Sequence, residues 1–232
     1  MGFRLDPHYR PASFMLEAIA PLLALQTRGD KQTFSVDQQG IFDLIFTIRE
    51  GFQYSLSPTR FSVAFKHRVE IKAQSAGPPI MDMLSEPKPY TVILPEVARR
   101  LVEATMLMPH IETQKLLRVG IVSTTMVVED EMPPSIRHII EYSTKPWGLV
   151  DGYSLQIIAN IDDNDLFMDR CIHTFVKSDD KDVIPTITLD WQRTFKTQRS
   201  ARKNVLDEAA SQGHDAALSY FEKLGEGAAF DG

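Results

Sequence analysis

The first chemistry suggested by the sequence is metal binding, at the acidic run Asp162, Asp163, Asn164 and Asp165, with Asp169 and His173 downstream. Hard cations require several convergent oxygens, and alternating Asp and Asn can supply them. Asp162, Asp163, Asp165 and His173 are therefore the candidate metal ligands. An EF-hand loop needs Gly at its sixth position and Glu at its twelfth. Counted from Asn160 those positions hold Asp165 and Cys171, and counted from Asp162 they hold Phe167 and His173, so neither register fits. Asp and Asn also close hairpin turns by bonding their own backbone, and that reading is preferred.

The second candidate is the basic run 193–203, in which Arg193, Lys196, Arg199, Arg202 and Lys203 occur without an acid, beside Trp191 and Phe195. Basic groups interleaved with aromatic platforms are what single-stranded nucleic acid requires. Against this, Trp191 shares strand parity with Ile187 and Leu189 and reads as core. A charge run between a strand and a helix reads as a solvated connection. A formal net charge of -6 argues against non-specific nucleic-acid binding by the whole surface.

Cys171 and His173 lie two apart on a strand-like run and share a face. Parallel side chains are poorly placed for direct proton transfer, and a buried cysteine is usually a small hydrophobe. No H-E-x-x-H or H-x-x-x-H pair occurs, and there is no P-loop, G-x-G-x-x-G or G-x-S-x-G. No cofactor is implied.

The elements that must position these residues come from periodicity and punctuation. Residues 61–72 alternate strictly, with Phe61, Val63, Phe65, His67, Val69 and Ile71 on one side, and predict one long strand with a wet face. Phe42, Leu44, Phe46 and Ile48 also share a face; a strand is preferred there over a helix capped by Asp37. Prolines mark an irregular connection near 77–95. A helix is expected from Pro95 to Met108, with Pro95 in its first turn. A strand over 116–128 and a short helix from Pro134 to near Pro146 follow. Three closely spaced runs, 153–161, 167–176 and 185–195, predict an antiparallel meander. A closing helix covers 202–224, before a frayed tail near 225–232.

Strands grouped in runs with helices between them predict an α+β fold, an antiparallel sheet with helices packed on one face, in a single domain over 1–232. The chain has 232 residues, 43% of them hydrophobic, enough for a sizeable core. One cysteine permits no internal disulfide and suits a reducing, cytoplasmic setting. No secretory leader is expected, and no apolar run approaches the roughly 18–20 residues needed to span a bilayer.

The segments from Phe52 to Phe65, Leu117-Arg118-Val119-Gly120-Ile121, Leu206-Asp207-Glu208-Ala209 and Tyr220-Phe221-Glu222, in that order, resemble a sporadically distributed, uncharacterised bacterial protein family of about this length. The resemblance runs from about Phe14 to Leu224 and implies a similar architecture. It brings no catalytic residues. The expected function is therefore a non-enzymatic assembly or interaction protein with a protein partner or a second copy of itself. Nucleic-acid contact through 193–203 and metal-dependent chemistry at 162–169 are the alternatives.

Overall fold

The computed structural model describes residues 1–6, 35–38, 44–47, 51–57, 60–67, 69–72, 80–83, 88–126, 134–148, 150–179 and 185–226. Its strands are β1 (Gly2–Leu5), β2 (Ser35–Gln38), β3 (Leu44–Thr47), β4 (Phe52–Leu56), β5 (Arg60–Phe65), β6 (Val69–Lys72), β7 (Ile80–Met83), β8 (Lys115–Met126), β9 (Tyr153–Asp163), β10 (Phe167–Lys177) and β11 (Thr186–Ser200). The α-helices are α1 (Tyr90–Met106), α2 (Pro134–Thr144) and α3 (Lys203–Glu226). Nine strands form one sheet in the order β2-β3-β4-β5-β1-β8-β11-β10-β9, and β6 pairs with β7 separately. Among the described residues every ladder of the large sheet is antiparallel. The fold is α+β.

The described helices lie on one face because period-two alternation sends the apolar residues there. Phe3, Phe61, Val63, Val119, Ile121, Cys171 and Trp191 are buried with Leu101 of α1 and Leu206 and Ala209 of α3 in one core. A smaller cluster under α2 joins Ile136 to Phe175 and Ile187. Those two strand residues are cross-strand partners, so α2 continues the same layer. On α3 the buried positions include Leu206, Ala209, Ala210, Gly213, Ala217 and Tyr220, the stripe expected of a helix with one face against a sheet.

Several sequence expectations need correction. The single strand over 61–72 is two: β5 ends at Phe65, and residues 69–72 pair with β7 in the other sheet. Period two reports which face a residue takes, not which strand it pairs with. Phe65 is opposite Phe52, the first residue of β4, so the ladder has no further partner there. His67 is exposed and meets the edge of the Phe65 ring. The first long helix starts at Tyr90, so Pro95 lies inside it. An internal proline forfeits one backbone bond; Leu94, Val97, Leu101, Val102, Ala104 and Thr105, all buried, offset the loss. The strand preferred near 42–48 is present: residues 44–47 form β3, and Asp37 is in β2, paired to it. Strand β11 continues to Ser200, so most of the basic run is strand and not linker. Within the proline-rich stretch 77–95, residues 77–79 and 84–87 lie outside those described, as do residues 227–232 of the tail.

Candidate functional site: an arginine row on the open face

The acidic run is the β9–β10 hairpin. Asn164 Oδ1 accepts from the backbone N–H of Leu166 at 2.9 Å and of Phe167 at 3.0 Å, and the Asn164 amide donates to Asp162 at 3.3 Å. Asp163 is ion-paired with Lys196. Asp162, Asp163 and Asp165 are exposed, whereas His173 is buried on the helix side of β10. Asp162 is opposite Asp169, four residues from His173 along the strand. That separation is about 13 Å at the usual strand rise. The structure does not bring the four metal candidates together, and among the described residues no group of three His, Cys, Asp or Glu converges.

The basic run is dispersed too. Arg193 is buried against Asp169, bonding both carboxylate oxygens at 2.7 and 2.6 Å. Arg199 lies 3.7 Å from Glu208, and Lys203 lies 3.4 Å from Asp207. Arg202 is exposed just before α3. Four of the five basic side chains thus face acids, counting Lys196 with Asp163.

Cys171 and His173 are both enclosed. Burial pushes the Cys171 thiol up to about 12, so it stays protonated and unreactive. His173 Nε2 and the Tyr220 hydroxyl are 2.9 Å apart, and burial pushes the tyrosine up to about 12. Burial also depresses His173 below its ordinary value of 6.5. The unfolded chain therefore binds a proton near that pH that the folded chain refuses. His173 thus contributes stability in full above about pH 6.5, and that contribution is lost as pH falls from there through its lower folded value. Thermal melts between pH 5 and 8 are expected to show a wild-type decline on the acid side that is shallower in His173→Gln.

A cluster that the sequence reading did not predict lies on the opposite face, where no helix packs among the described residues. Arg60 of β5 is opposite Arg4 of β1, and Arg4 is opposite Arg118 of β8. Three guanidinium stems thus stand side by side on adjacent strands, about 5 Å apart at their bases. Like charges in directly opposed positions destabilise a sheet. One row along, Gly2 is opposite both Ser62 and Gly120, and Gly120 is opposite Gln192. Two adjacent glycines leave a hollow beside the arginines, a pocket of about 50 Å³. That is several times the ~10–15 Å³ that one water occupies on this measure.

Gln192 connects the pocket to its surroundings. Its side-chain oxygen accepts from Arg118 at 2.8 Å and from Arg170 at 3.1 and 3.2 Å, and its amide donates to Asp190 at 2.7 Å. Arg118 is held below its ordinary value first by burial and then by Arg4, with Arg170 and Arg60 adding to the effect and Asp190 opposing it. The charges sense one another across five strands. Arg4, Arg60 and Arg118 each adjoin a buried residue, Phe3, Phe61 and Val119, so alternation turns them to the other face; only strand register shows that the positions coincide.

Fold and site together define an α+β protein whose antiparallel sheet carries a cationic pocket on the face away from its described helices. No family model, curated protein or solved structure matches this chain.

Proposed function

We propose that this chain is a non-enzymatic interaction protein of a cytoplasmic setting that self-associates through the edge of its large sheet. The observation that carries this reading is β9, an eleven-residue strand with the sequence YSLQIIANIDD that is at the edge of the sheet among the described residues. Edge strands are usually blunted by lysine, proline or short length. β9 has neither lysine nor proline, and Ile158 on its open side is 57% exposed. An antiparallel two-fold centred on Ile158 would set Gln156 against Asn160 and Ile157 against Ala159, pairing like chemistry with like. A groove of about 370 Å³ between α2 and the start of β9, walled by Ile140, Trp147 and Leu155, adjoins that edge. Trp147 is 79% exposed there, and large aromatics of this kind anchor interfaces.

Sedimentation equilibrium over a hundredfold range of concentration tests the reading. Wild type is expected to approach twice the chain mass of 26.3 kDa. Ile158→Lys, which would set two like charges face to face at the two-fold, is expected to remain monomeric with unchanged circular dichroism. A wild-type protein that is monomeric throughout the range overturns the proposal.

A further inference from the structure

We infer that the pocket between Arg60, Arg4, Arg118 and Gln192 is a binding site for a phosphoryl-type oxyanion, free or at the end of a small molecule. The inference stands independently of the β9 edge, which is on another part of the sheet.

Its basis is the placement and the charge count. Arg60, Arg4 and Arg118 are consecutive across three strands, an arrangement that is repulsive when empty. Among the described residues the pocket wall holds these three arginines and one carboxylate, Asp190, leaving two positive charges. A phosphate monoester carries about 1.5–2 negative charges at neutral pH, so it matches that remainder. Guanidinium groups present paired donors in a fixed fork suited to phosphate oxygens. Arg118 is already oriented by Gln192, which is itself 6% exposed and tied to Asp190. A preorganised donor loses less freedom on binding.

The two glycines make room. A methyl group built on Gly120 would first meet the Trp191 carbonyl oxygen at 3.5 Å, ordinary contact, so a side chain there fills the hollow without displacing the strand. On Gly2 it would come 2.9 Å from Phe61 backbone oxygen, so that position must stay bare. Helix-side arginines differ: Arg99 is bonded to Glu96 and Glu103 and has no charge to offer.

The test uses inorganic phosphate titrated calorimetrically into the full chain at constant ionic strength, with chloride as the reference anion. Saturable binding is expected, weakened at least tenfold by Arg118→Gln and by Arg60→Gln, abolished by Gly120→Val, and unchanged by Arg99→Gln. In phosphate-free buffer Arg4→Gln, which removes the middle charge, is expected to raise the melting temperature. A fall instead would mark the row as structural and overturn the inference. So would the absence of saturable phosphate binding, or binding that survives both Gly120→Val and Arg118→Gln. A single-stranded oligonucleotide that binds through these arginines and is not displaced by phosphate would replace the small oxyanion with nucleic acid.

Discussion

Asp169→Ala is expected to destabilise the protein by about 3–5 kcal/mol, the usual cost of removing one partner from a buried ion pair. Register places Asp169 directly opposite Arg193, and both side chains are more than nine-tenths enclosed. The guanidinium bonds both carboxylate oxygens, lies 3.8 Å over the Phe167 ring and donates to Gln212 at 3.3 Å. Without Asp169, Gln212 alone cannot neutralise a charge held away from water. The cost is in the orphaned charge more than in the lost attraction, so the double variant Asp169→Ala with Arg193→Met should be markedly more stable than the single one. Urea unfolding of both proteins measures the difference. A double variant as unstable as the single would refute this account.

The second large effect is at Trp191. Its ring is fully enclosed between Cys171 and Ile121 in the sheet, beneath α3. Gly213 is the helix residue that allows the approach: a methyl group there would lie 3.3 Å from Trp191 and 3.4 Å from Val119. Trp191→Ala is expected to cost about 3–5 kcal/mol through the cavity it leaves. Gly213→Leu in the wild-type background should cost about 1–3 kcal/mol by overpacking. Together the two changes should cost less than their sum, because the new leucine occupies the vacated space. Simple additivity in equilibrium unfolding would mean that helix and tryptophan are not in this contact.

The meander β9–β10–β11 was legible because turn-forming residues separate three alternating runs, and local chemistry alone determines such hairpins. The start of α1 was misread because Pro95 is a helix-start signal that tertiary burial of Leu94 and Val97 overrides. The basic run looked wet because charge usually is. Yet Arg193 has the same parity as Leu189 and Trp191, which placed it on the covered side, and only its need for a buried acid was invisible. The arginine row was hidden for a different reason. Arg4, Arg60 and Arg118 become neighbours only when β1 pairs with both β5 and β8, a register that no local pattern encodes.

That short strand β1 is the seam of the molecule. The sheet order places β2–β5 on one side and β8–β11 on the other, and the only hydrogen-bonded ladders joining them, among the described residues, run through residues 2–5. Above the seam α1 packs on β5 and on α3, which in turn rests on β8 and β11, so the helices bridge what β1 stitches below. The arginines stand on the three strands of this join. An oxyanion gripped by all three would act as a rivet through it, and its release would loosen the boundary between the halves before it loosened either half.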